Sequence, residues 1–188
     1  MNIKPLIEIY GKTATSDAGF GDKGTIHSYI DGYYEPMFEP YRNIPIKLLE
    51  IGINEGHSML MWAEYFANVK LTGVDIVDRG FRLSGHDVVY GDATDPSLFD
   101  GMDDFDIIID DGSHSIVDQL KTFEILFPKL KPNGLYVIED VQNIDYDAEA
   151  LKKLHPSFTL FDFRWRKQRY DDVIVQYKKD FIVPYKKV

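Results

Sequence analysis

Cysteine is absent from the 188-residue chain, so neither a disulfide framework nor a thiolate metal site belongs to it. Long apolar runs are missing as well: nowhere do eighteen apolar residues follow one another, and no membrane-spanning helix is expected. Lys4 and Glu8 interrupt the start of the chain, which leaves no apolar core for a signal peptide; a soluble, cytoplasmic protein is the expectation. Positive charge is scarce, with 21 Lys and Arg against 31 Asp and Glu and a formal net charge of −10. Nucleic acid is therefore not expected as a partner, because phosphate binding relies on clustered cations. The one basic run, Arg164 to Arg169, reads as a solvated strand edge, with a local anionic contact as the alternative. What the chain does have is 44% hydrophobic residues, many of them aromatic, which suits one folded domain with a sizeable core.

From Ile46 onward, short apolar runs alternate with amphipathic stretches. The pattern predicts strands at 46–51, 70–74, 87–90, 106–109, 135–138, 159–163 and 173–177, and helices at 58–66, 116–126 and 148–154. Strands alternating with helices imply right-handed crossovers and a parallel sheet. The short polar link between Phe163 and Val173 allows a terminal antiparallel pair. The fold class is α/β: a Rossmann-like, doubly wound, mostly parallel seven-stranded sheet with a C-terminal antiparallel strand. Residues 1–43 are expected to form a separate helical or lid segment, with helices over Asn2–Tyr10 and Thr25–Phe38, and residues 44–188 the main domain.

Two strand ends carry paired acids. Asp110-Asp111-Gly112-Ser113-His114 follows the apolar run Ile107–Ile109, and Glu139-Asp140 follows Leu135–Ile138. Acids at two strand ends suit one shared oxygen-rich site for a divalent cation. Adjacent strand residues point to opposite faces, so Asp110 and Asp111 are expected to serve different tasks. A helix cap explains an acid or serine near Asp111–His114 equally well, but does not explain the second pair.

In open α/β sheets, ligands sit beyond the carboxyl ends of the strands. The first such end reads Glu50-Ile51-Gly52-Ile53-Asn54-Glu55-Gly56-His57, where Gly52 and Gly56 let the backbone turn tightly and approach a ligand. The spacing is not the Gly-x-Gly-x-x-Gly of dinucleotide binders, and Glu50 would repel a pyrophosphate. A cationic amino-acid moiety would be attracted instead, which favours S-adenosylmethionine over a nicotinamide cofactor. Asp75 ends the second strand, where an acid can accept from ribose hydroxyls, and Asp92 ends the third, within reach of an adenine amino group. Strand-end Asp is also a common turn former.

These residues, in this order, resemble class I S-adenosylmethionine-dependent methyltransferases. The sharper resemblance is to the metal-dependent sugar O-methyltransferases of macrolide and rhamnosyl-antibiotic tailoring. It rests on Asp22-Lys23-Gly24-Thr25-x-His27-x-Tyr29, Leu48-Leu49-Glu50-Ile51-Gly52, Gly73-Val74-Asp75-Ile76, Ile109–His114 and Gly134–Asp140, and covers about residues 20–145. The resemblance implies cofactor contacts from Glu50, Gly52, Gly56, Asp75, Asp92 and Asp110. It implies Mg²⁺ held by Asp111, Glu139 and Asp140, with His114 as general base and Asp111 beside it in the catalytic group. It also implies that the segment from Asp22 to Tyr34 lies over the cofactor pocket, although a helix packed through Tyr29, Tyr33 and Phe38 reads equally well. His57 is left unassigned, as cap or pocket residue.

The sequence has no match to the large N-terminal auxiliary domain of those enzymes, so a more open acceptor site is expected, with capsule, lipopolysaccharide or other glycan sugars as candidates beside antibiotics. The partner is then a small-molecule or glycan acceptor, and a homo-oligomer is compatible with the sequence. Three other readings stay open: methyl transfer to a non-sugar diol or an amine, a cofactor-binding module without turnover, and, less favoured, a dehydrogenase.

Overall fold

In the computed structural model, residues 22–179 are described; the helix expected over Asn2–Tyr10 lies outside them. The sheet has seven strands: β1 Ile46–Ile51, β2 Val69–Asp75, β3 Asp87–Tyr90, β4 Phe105–Asp110, β5 Leu130–Ile138, β6 Thr159–Asp162 and β7 Val173–Lys178. Their spatial order is β3-β2-β1-β4-β5-β7-β6. The first five pair in parallel, while β7 runs antiparallel to both β5 and β6, the latter pairing being the one that the short link before Val173 allows. The central strands carry consecutive apolar residues, such as Ile107–Ile109 and Leu135–Ile138, because both of their faces are covered.

The helices are α1 Asp22–Thr25, α2 Glu35–Phe38, α3 His57–Tyr65, α4 Ile116–Leu126, α5 Ile144–Leu154 and α6 Arg164–Lys167. Two cores result, one on each face of the sheet. One joins Leu48, Ile107 and Val137 to Trp62 of α3 and to the aromatics Tyr29, Tyr33, Tyr34 and Phe38. The other joins Leu49, Ile108 and Ile138 to Phe123 and Leu126 of α4 and Leu151 of α5. Tyr34, Phe38 and Trp62 meet edge-on or tilted with centroids 4.8–5.3 Å apart, the arrangement ring quadrupoles favour. Among the described residues no helix is long and apolar enough to cross a membrane.

Two expectations need correction. The helix read over Thr25–Phe38 is broken: α1 ends at Thr25, a π-helical turn follows over Ile30–Tyr34, and only α2 is regular before a 3-10 turn at Glu39–Tyr41. Tertiary demands override the local pattern, since the Ser28 amide donates to Asp172 and a Cβ on Gly32 would lie 2.8 Å from the Phe163 ring. The basic run is not a strand edge. Its first four residues form helix α6, entered where the Arg164 amide donates to Asp162. Arg164 also pairs with Asp145, and Arg169 with Asp171, so these cations are spent on the protein's own acids.

Candidate active site

The strand order reverses between β1 and β4, which flank each other. Loops leaving their carboxyl ends part there, and a cavity of about 260 Å³ opens. Gly52, Asp75, Asp92 and Asp110 line it, together with Gln119 and Thr122 of α4. Gly52 has φ +81°, and a Cβ there would lie 1.8 Å from the Asp111 carbonyl oxygen. Only glycine lets the β1 and β4 ends approach this closely. Asp75 holds the neighbouring loops, accepting from the amides of Asn54 (2.7 Å) and Val77 (2.9 Å). Asp92 accepts from the amide and hydroxyl of Thr94. Both acids are thus turn formers and cavity walls at once, with acceptor capacity left over. Asp110 accepts from the Gly112 amide, and burial pushes its carboxyl up to about 7.

Two predicted cofactor residues stand elsewhere. Gly56 is absent from the cavity wall; with φ +83° it turns the loop beneath the Phe81 ring, which a Cβ would meet at 2.3 Å. Glu50 lies on the other face of β1 and is fully buried. Ser58 donates to its Oε2, while its Oε1 has no hydrogen-bond partner. Burial raises Glu50 to about 7, against the pull of Lys23. His57 opens α3, and Gly56 takes the capping position before it.

Strand alternation separates Asp110 from Asp111 as expected, and the second face holds an acid cluster. The Lys23 ammonium, 2% exposed, stands 2.6 Å from Asp111 Oδ2, 2.8 Å from Glu139 Oε1 and 3.5 Å from Glu50 Oε1. Asp111 Oδ1 is 3.2 Å from His114 Nε2, which is 3.9 Å from Asp140 Oδ2. Asp140 Oδ1 accepts from Tyr29, and Oδ2 lies 3.4 Å from His27. The Tyr34 hydroxyl donates to Glu139.

Burial and mutual repulsion dominate the electrostatics. Glu139 is held well above the carboxylate range by burial, and Asp140 is pushed up to about 6 by burial and by Asp111. Burial would raise Asp111 too, but Lys23 and His114 outweigh it and bring it below its usual value. Burial depresses His114, yet the hydrogen bond and charge of Asp111, with Asp140 and Asp110, raise it overall. His114 is therefore held toward its protonated form while these acids carry charge.

Of the predicted metal set, Asp111 and Asp140 offer ligand atoms, with His114, that all lie within 4.8 Å of one another. Glu139 joins Asp111 through the Lys23 ammonium. All these donors are oxygen or imidazole nitrogen, which suits a hard divalent cation. The reading from sequence gave Lys23, Tyr29 and Tyr34 no site role. No spacing signal could have done so, because Lys23 meets Asp111 across 88 positions and Tyr34 meets Glu139 across 105.

No protein-family model matches the chain. It is 39% identical over 139 residues to the 8-demethyl-8-alpha-L-rhamnosyl tetracenomycin-C 2'-O-methyltransferase of Streptomyces olivaceus, covering 68% of this chain and 36% of that protein. It is 36% identical over 130 residues to the demethylmacrocin O-methyltransferase of Streptomyces fradiae, covering 63% and 33%. The chain thus spans about a third of the length of the curated relatives it matches. Among solved structures it superposes on the methyltransferase MycE of the mycinamycin biosynthetic pathway, in complex with Mg, SAH and mycinamycin VI, with a TM-score of 0.74 and 22% identity. That match covers 96% of this chain and 54% of MycE. By sequence the chain is similar to O-methyltransferases of glycosylated natural products, and by structure it carries the α/β methyltransferase fold seen in MycE.

Proposed function

We propose that the chain is a Mg²⁺- and S-adenosylmethionine-dependent O-methyltransferase that modifies a sugar hydroxyl of a glycoside, glycan or glycosylated natural product in the cytoplasm. The observation that carries this reading is the pairing of two sites at one strand end. The cavity lies on the Asp110 side of β4, and the acid cluster lies on the Asp111 side. A methyl donor in the first and an oxygen-rich acceptor at the second would approach each other around Gly112. The names of the relatives and the Mg and SAH in the MycE complex support the same pairing.

Asp75 and Asp92 would bind the ribose and adenine ends of the donor, and Gly52 would let its methionine part lie against the backbone. Asp111, Glu139 and Asp140 would hold the cation. The residues fit such an ion, because buried carboxylates outnumber the nearby cationic groups and several are kept above their usual range by burial first and by neighbouring carboxylates second. When bound, a divalent cation supplies Lewis acidity and a fixed anchor for an acceptor diol. His114, 28% exposed at the edge of the cluster, would take the proton of the acceptor hydroxyl through Nε2. Its raised pKa falls as the neighbouring carboxylates are neutralised, which frees the imidazole to act as base. Alignment of nucleophile, methyl carbon and sulfur is the remaining contribution of the protein.

Incubation with S-adenosylmethionine and a panel of rhamnosides and other glycosides tests the proposal. The expected result is S-adenosylhomocysteine and a methylated sugar, abolished by chelator and restored by Mg²⁺. Methylation undiminished in chelator would remove the metal from the mechanism. Metal-dependent turnover on catechols but on no glycoside would move the acceptor class.

A further inference from the structure

The ammonium of Lys23 contacts both Asp111 and Glu139, two of the three residues that would hold the cation. It reaches three carboxylates, one on β1 and two just beyond the ends of β4 and β5, and is 98% buried while doing so, since only 2% of the residue is exposed. A divalent ion such as Mg²⁺ binds carboxylate oxygens at about 2.0–2.1 Å. An ion on these carboxylates would share Asp111 Oδ2 and Glu139 Oε1 with the Lys23 ammonium, which already lies 2.6 and 2.8 Å from them. Two positive centres that close repel strongly inside a protein, where screening is weak. The ammonium is carried on a long flexible stem from the four-residue helix α1, not from the sheet.

We propose that Lys23 is a built-in counter-cation of the acid cluster and competes with the divalent cation for Asp111 and Glu139. In the metal-free protein it neutralises part of an acid group that would otherwise repel itself. When metal binds, Lys23 leaves these two oxygens. The affinity for metal is thereby set as much by the displaced lysine as by the ligands. This inference rests on the metal reading proposed above. It deepens that reading by naming the residue that tunes the site. Glu50 is the natural acceptor for the displaced charge, because its Oε1 is buried without a hydrogen-bond partner and already lies 3.5 Å from Nζ.

The test is calorimetric titration of the full chain with Mg²⁺ alone, comparing the wild type with Lys23→Met and Lys23→Arg. Competition predicts at least tenfold tighter Mg²⁺ binding by Lys23→Met, and binding no tighter than wild type by Lys23→Arg, which retains the charge. If the wild type binds Mg²⁺ and Lys23→Met binds it equally or more weakly, Lys23 does not compete and the inference falls while the metal reading stands. If neither the wild type nor Lys23→Met binds Mg²⁺, the metal reading itself falls. Should Lys23→Met fail to fold, hydrogen exchange of the wild-type amides at 22–25 decides. Faster exchange on saturation with Mg²⁺ supports displacement, and exchange unchanged at saturation overturns it.

Discussion

Gly52→Ala introduces a methyl group at the point where β1 and β4 come closest. Its Cβ would lie 1.8 Å from the Asp111 carbonyl oxygen and 2.5 Å from the Asp111 carbonyl carbon, and both are backbone atoms that no rotamer change can clear. The φ of +81° adds a second cost of about 1–2 kcal/mol for any residue with a Cβ. Overpacking of this kind costs a further ~1–3 kcal/mol. The two contributions are separable within this protein, because Gly80 has φ +79° and nothing within 4 Å of its would-be Cβ. Gly80→Ala therefore bears only the backbone cost, partly offset by reduced freedom of the unfolded chain. Thermal unfolding of the two variants should differ by roughly 2–12 °C, at about 2–4 °C per kcal/mol for a chain of this size. Gly52→Ala should also lose S-adenosylhomocysteine binding, since relief of the contact moves the cavity wall. A Gly52→Ala protein that melts with Gly80→Ala and binds the ligand normally would refute the close-approach argument.

Glu50 gives a pH prediction of definite sign. Its pKa is raised from 4.5 to about 7 in the folded protein, so the native state holds the proton more tightly and stability falls as pH rises through that interval. At ~1.4 kcal/mol per pKa unit the loss is about 3 kcal/mol. Denaturation in chelator should accordingly show Glu50→Gln gaining on wild type by that order between pH 4 and pH 8, and a difference independent of pH would contradict it. Tyr34→Phe removes the buried hydroxyl that donates to Glu139 and should cost ~1–3 kcal/mol in urea denaturation; no loss would mean that Lys23 alone satisfies the carboxylate. Asp75→Ala should weaken S-adenosylhomocysteine binding by roughly 10–100-fold, the worth of a charged hydrogen bond, and unaltered affinity would remove Asp75 from the ribose.

Much of the architecture was legible because it is written locally. Apolar runs such as Ile107–Ile109 and Leu135–Ile138 mark the buried strands, and the two-residue period of a strand separates Asp110 from Asp111 without further information. Asp75 ends β2 and Asp92 follows two residues beyond β3, and both line one cavity. Glu50 was legible as a strand-end acid but not as a buried one: its charged partner, Lys23, depends on how an irregular segment folds back over β1. The same holds for the π-helical turn at Ile30–Tyr34. Its tyrosines look like ordinary core residues in sequence, yet Tyr34 delivers its hydroxyl to Glu139, as does Tyr29 from the preceding turn to Asp140. Helix α6 was hidden because a four-residue helix has no periodicity to read, and its Arg164 is positioned by Asp162 and Asp145.

Isothermal titration of the full chain with S-adenosylhomocysteine, in chelator and again in saturating Mg²⁺, tests the pairing of cavity and acid cluster most directly. The cavity bounded by Gly52, Asp75, Asp92 and Asp110 predicts saturable one-to-one binding in both conditions, with the Mg²⁺ titration itself abolished by Asp111→Asn. No heat with millimolar S-adenosylhomocysteine in either condition would contradict it.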